Sequence, residues 1–128
     1  MPNEVVLDAS AVLAVLKREP GADRVRAVLD RATIGAVNVA EVQSKLVDLG
    51  LSRHAAEARI RFLGCRILGF SEEQAIEAGS LIARTRSLGL SLGDRACLAL
   101  AIDRKATVYT TDNVWKNLSL GIQIEVIR

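Results

Sequence analysis

Four acids stand at comparable positions along this chain: Asp8, Glu41, Asp94 and Asp112. Asp8 directly follows "VVL" and Asp112 directly follows "TVYTT". Both runs are short and β-branched, so both acids should lie just past a strand's carboxyl end. Glu41 falls in the first turn of the helix expected over "AEVQSKLVDLG", and Asp94 in the first turn of "LGDRACLALAIDRKA". In an open parallel sheet these strand and helix ends can converge on one rim, where ligands bind. Ionised carboxylates gathered there repel one another unless positive charge is supplied. No lysine or arginine is obligatorily placed among them. Arg95 neighbours Asp94, but successive helical residues point about 100° apart. A divalent cation is the natural remaining source of charge. An all-oxygen donor set without histidine or thiolate suits Mg²⁺, or Mn²⁺ in its place, better than zinc. The chemistry such a cluster supports is hydrolysis of a phosphodiester bond.

Each acid also has a local explanation. Asp8 can cap the helix starting near Ser10, and Asp112 can begin a turn with Asn113. Glu41 can compensate a helix dipole, and Asp94 can complete a capping box with Ser91. Only the joint pattern favours chemistry over capping.

The elements that must hold these acids follow from composition and periodicity. The chain has 128 residues, half of them apolar, with a net charge of +2, which is ample for one domain over 1–128 and inconsistent with disorder. The N-terminus "MPNEVVLDAS" carries an acid where a signal peptide needs cationic residues, and the longest apolar runs fall far short of a membrane span. The chain reads as soluble and cytoplasmic. Cys65 and Cys97 are too far apart for CxxC chemistry and read as core residues. Aromatic residues make up 3%, too few for a base-stacking platform. No GxSxG, HExxH or Walker motif is present, so no covalent nucleophile or phosphate loop is indicated.

Strands are expected at "VVL", "ATIGAVNV", "CRILGF", "TVYTT" and "IQIEVI", the last an edge strand by its alternation. Helices are expected over "SAVLAVLKRE", "ADRVRAVLD", "AEVQSKLVDLG", "SRHAAEARIRFLG", the long "SEEQAIEAGSLIARTRSLG" and "LGDRACLALAIDRKA". Strands alternating with helices of this length indicate an α/β fold around a mostly parallel sheet of about five strands.

"VVLDASAVLAVL", "NVAEV", "SLGDRACLALA" and "VYTTDNVW" occur in the order found in PIN-domain ribonucleases, and the whole chain resembles the VapC-type toxin of prokaryotic toxin–antitoxin pairs. The resemblance implies a three-layer α/β/α fold in which Asp8, Glu41, Asp94 and Asp112 bind the metal and drive hydrolysis. It implies supporting hydrogen bonds from Ser10 and Thr110. It further implies Mg²⁺-dependent cleavage of a structured RNA (tRNA, rRNA or mRNA), a homodimer, and a cognate antitoxin. Arg95 is a candidate contact for an RNA phosphate, with a solvated helix residue as the alternative. Trp115 is expected to pack on the sheet rather than stack on a base. The apolar positions of "AVLAVLKR" and "VRAVLD" suggest either core packing or a groove for an antitoxin helix.

Two other readings lose on named positions. A receiver domain needs an aspartate after a middle strand and a lysine after a later one, which "CRILGF" and "TVYTTD" lack. A haloacid-dehalogenase-type phosphatase needs a second acid where Ser10 stands.

Overall fold

The computed structural model describes residues 4–128. Five strands, β1 (Val5–Leu7), β2 (Ala32–Gly35), β3 (Arg66–Leu68), β4 (Thr107–Thr110) and β5 (Ile124–Val126), form one sheet in the order β3-β2-β1-β4-β5, every pair parallel. The chain therefore builds outward from β1 to β3, returns, and builds to β5 on the other side. The reversal lies between β1 and β4, and that gap is the topological switch point where such sheets bind ligands.

Strand β1 is buried along its length, as a central strand covered on both faces must be. Val5 and Leu7 point into one core with residues of α1 (Ala9–Leu16), α2 (Ala22–Arg26), α3 (Ala36–Asp48) and α4 (Arg53–Phe62). Val6 points into the other with residues of α5 (Glu72–Ser80) and α7 (Leu92–Arg104), and with Trp115. The sheet thus lies between two helical layers. Helix α7 buries every residue from Ala96 to Ala101, which explains its continuous apolar sequence: it has no solvent face along that stretch.

Three elements differ from expectation, the first being the helix expected over "ADRVRAVLD", which ends at Arg26 and is followed by a 3-10 turn over Leu29–Arg31. The strand expected over "ATIGAVNV" ends at Gly35, and "AVNV" already belongs to α3. Glu41 is accordingly in the second turn of its helix, too deep for dipole compensation. The long helix expected after Ser71 breaks into α5, α6 (Ile82–Thr85) and a 3-10 turn over Arg86–Leu88. Ser80 Oγ donates to the Ile76 carbonyl and Thr85 Oγ1 to that of Leu81, the back-bonding that bends helices. Among the described residues no helix is long and apolar enough to cross a membrane.

Candidate active site

Asp8 ends β1 at the switch point and occupies the N-cap position of α1, yet its side chain makes no capping bond. It turns instead toward β4. Ser10 Oγ donates to Asp8 Oδ2 at 2.6 Å, and Thr110 Oγ1 donates to the same oxygen at 3.0 Å. The Thr111 amide donates to Ser10 Oγ at 3.0 Å and the Asp112 amide to Thr110 Oγ1 at 3.1 Å. A hydroxyl has one proton, so the two amides fill acceptor sites and both protons are aimed at Asp8.

Glu41 is held from below by Asn38, one turn earlier on α3. Asn38 Nδ2 donates to Glu41 Oε1 at 2.7 Å and to the Gly93 carbonyl at 3.1 Å. Asp94 closes a capping box with Ser91: its Oδ2 accepts from the Ser91 amide at 2.9 Å, and Ser91 Oγ accepts from the Asp94 amide at 3.1 Å. Asp112 is exposed at the end of β4, and its Oδ1 accepts from the Val114 amide at 3.0 Å. Each acid therefore has one oxygen engaged by the protein, while its second oxygen makes no hydrogen bond with a described residue.

The electrostatics bring three of the four together. Burial pushes the Asp8 carboxyl up to about 6; the Ser10 and Thr110 hydroxyls oppose this, and the like charges of Asp94 and Glu41 reinforce it. The buried Cys97 thiol is pushed well up by burial and then by Asp8, Asp94 and Glu41. Asp8, Glu41 and Asp94 thus share one neighbourhood. Asp112 lies at its lip, joined to Asp8 through Thr110. None of the ion pairs between described residues reaches any of these acids.

That donor set, oxygen-only and without a neutralising cation, fits a hard divalent metal ion. Among the described residues no group of three or more His, Cys, Asp or Glu side chains is gathered to hold one ion. Mg²⁺ keeps several waters and takes one or two protein carboxylates directly, and a pair of acids backed by water-mediated partners satisfies that requirement.

The remaining candidates fall outside this cluster. Arg95 Nη1 donates to the Ala78 carbonyl at 2.9 Å, half-buried between α7 and α5. This bond ties α7 to α5. Trp115 is fully buried in the core shared with α7, as its packing role requires. Asn38 and Gly93 were not singled out from sequence. The only trace is the spacing of Asn38 three residues before Glu41, one helical turn.

A parallel sheet between helical layers, with acids at its switch point, defines a doubly wound α/β/α domain. The chain belongs to the PIN domain family, whose model matches residues 5–120. No curated protein matches the sequence. Among solved structures it is similar to VapBC2 from Rickettsia felis bound to a promoter DNA fragment, with a TM-score of 0.73 and 19% identity over 94% of this chain and 96% of that one. It is also similar to VapC20 of Mycobacterium tuberculosis, described as a sarcin–ricin loop cleaving toxin (TM-score 0.72, 14% identity, 93% and 98% covered). VapBC-5 of the same organism gives a TM-score of 0.64 at 22% identity, with 99% of each chain covered. At these identities the likeness is one of fold.

Proposed function

We propose that the protein is a Mg²⁺-dependent endoribonuclease, with Mn²⁺ as a substitute ion, acting as the toxin of a VapBC-type pair. The observation that carries this reading is the convergence of Asp8, Glu41 and Asp94 at the switch point, each with one oxygen fixed and one left open. Bound there, the cation supplies Lewis-acid activation of the phosphoryl group and of water. Asp8 and Asp94 would hold the ion through the carboxylate oxygens left open, Oδ1 in each. Glu41 would support the ion from its outer shell and take up the proton of the attacking water at Oε2, and Asp112 Oδ2 would orient the substrate at the lip. Ser10 and Thr110 keep Asp8 from rotating, which preserves the geometry on which such catalysis depends.

The substrate is a structured RNA (tRNA, rRNA or mRNA), and the solved relative that cleaves the sarcin–ricin loop is consistent with that class. The chain works as a homodimer in the cytoplasm and is restrained by a cognate antitoxin. A groove of about 790 Å³ bounded by α1, α2 and α4 supplies the antitoxin's seat: Val15, Leu16, Leu29, Phe62 and Leu63 form its apolar surface, and Arg18, Arg26 and Arg59 are also in its lining. An apolar helix with acidic flanks complements it.

The test is incubation of the purified protein with structured RNAs in Mg²⁺, in Mn²⁺ and in EDTA. Cleavage should require the ion and vanish in Asp8→Asn and Asp94→Asn. RNA left intact under every ion, or near-normal cleavage by either variant, overturns the nuclease reading. Binding of RNA without cleavage would instead favour a non-enzymatic module. Cleavage with no partner that suppresses it would favour an RNA-processing nuclease without an antitoxin.

A further inference from the structure

We propose that Asn38 is a positioning residue that sets the Glu41 carboxylate, using the α7 backbone at Gly93 as its anchor. The proposal deepens the active-site reading of Glu41 and rests on it. Asn38 is 1% exposed. A primary amide has two N–H donors, and both are spent here: one on Glu41 Oε1 at 2.7 Å, the other on the Gly93 carbonyl at 3.1 Å. Its own Oδ1 is buried with no partner.

That orphaned acceptor is the informative feature. A buried amide chosen only to stabilise the fold would satisfy its carbonyl oxygen, because leaving a polar atom unpaired costs free energy. The orientation present sacrifices the acceptor so that both protons face a carboxylate and a carbonyl. Reversing the amide would set Oδ1 against two acceptors and expel Glu41.

The anchor is specific as well. A Cβ at position 93 would fall 2.6 Å from Glu41 Oε1 and closer still to Oε2, so Gly93 leaves the space the carboxylate occupies. At Gly35, the N-cap of α3, a Cβ would lie 3.2 Å from Leu100 Cδ2 of α7 and 3.5 Å from Asn38 Oδ1. The start of α3 is thus seated closely on α7. The amide fixes one oxygen of Glu41 and leaves the other directed by the clamp.

Asn38→Leu tests this, since it preserves side-chain shape, removes both donors and removes the orphaned oxygen. Calorimetric titration with Mn²⁺ should show affinity weakened by about tenfold, the scale of lost outer-shell support, with an undiminished melting temperature. The RNA cleavage kcat should fall by a similar factor with little change in KM. In a double-mutant cycle on Mn²⁺ affinity, Asn38→Leu added to Glu41→Gln should weaken binding much less than it does alone, because its effect passes through the Glu41 carboxylate. Wild-type Mn²⁺ affinity in Asn38→Leu, or fully additive losses, would overturn the proposal. Should Asn38→Leu not fold, Asn38→Ala, which removes the same donors without adding charge, carries the same cycle. Mn²⁺ binding intact in a wild type that cleaves no RNA would sink the nuclease reading and leave the clamp testable.

Discussion

The Glu41 carboxylate lies on Gly93, occupying the space a Cβ would take: the three nearest atoms to such a Cβ all belong to that carboxylate. Gly93 is in the first turn of α7. Alanine there would gain up to about 1 kcal/mol of helix propensity, but the Glu41 carboxylate would have to swing aside and give up its bond from Asn38, and a hydrogen bond to a charged group is worth about 1.5–3 kcal/mol. Gly93→Ala should therefore be neutral to destabilising, and it should lower cleavage by pushing Glu41 off station. In a Glu41→Ala background the obstacle is gone, so the sign should reverse and alanine should stabilise. Thermal melts of the four proteins in that cycle check this; stabilisation by Gly93→Ala in the wild type would contradict it.

Asp8 makes stability and activity oppose each other. Its carboxyl titrates near 6 in the folded protein against 3.8 ordinarily, burial being the main cause. Between those values the folded state holds a proton that the unfolded state has lost, so stability falls as pH rises through the window. Above it the penalty is about 3 kcal/mol. Glu4 acts in the opposite sense. The hydrogen bond from Arg104 holds its carboxyl below 4.5, and that contribution is lost as pH falls past there. Above about pH 4.5 the Glu4 contribution is in place, so the metal-free protein should lose stability steadily as pH rises from there to about 6. At pH 7 Asp8→Asn should melt several degrees higher than the wild type while cleaving nothing. Added Mg²⁺ should raise the melting temperature of the wild type only. Cleavage should increase with pH through the Asp8 titration, with a midpoint that moves lower as Mg²⁺ is raised, because ion and proton compete.

The paired hydroxyls have separable effects. Each lowers the Asp8 carboxyl by donating to it. Ser10→Ala and Thr110→Val should therefore each shift the acid limb of the cleavage profile to higher pH. Thr110 is fully buried, whereas Ser10 is partly exposed, so water can take the place of the lost hydroxyl more readily at Ser10. Thr110→Val removes a buried hydroxyl that links the Asp112 amide to Asp8 and should cost about 1 kcal/mol, more than Ser10→Ala. Denaturant unfolding of the two variants gives the comparison.

The sheet and its alternation with helices were legible because "VVL" and the unbroken apolar stretch of α7 have single solutions, burial on every side. The position of Asp8 past β1 followed at once. Strand order did not: nothing in one sequence says that β4 pairs with β1, and that pairing alone puts Thr110 against Asp8. "ATIGAVNV" misled because its β-branched residues favour strand, while burial of Asn38 against Glu41 and Gly93 draws the second half into α3. The role of Arg95 was equally hidden, since its choice between solvent and the Ala78 carbonyl depends on α5 lying beside α7.

If the α1–α2–α4 groove is the antitoxin's seat, partner binding and catalysis should separate by mutation. Phe62 is 92% exposed at its edge, so Phe62→Asp should change folding stability by no more than about 0.5 kcal/mol, as is usual at surface positions. None of the four acids lines this groove, so ion-dependent cleavage should be unaltered. A buried aromatic anchor in a complex contributes about 2 kcal/mol or more, roughly thirtyfold in affinity. The variant should therefore escape an antitoxin that silences the wild type, by a loss of binding measurable in calorimetry. An antitoxin that binds and inhibits Phe62→Asp as strongly as the parent would move its seat elsewhere on the molecule. Diminished cleavage in the free variant would show that this face also reaches the RNA.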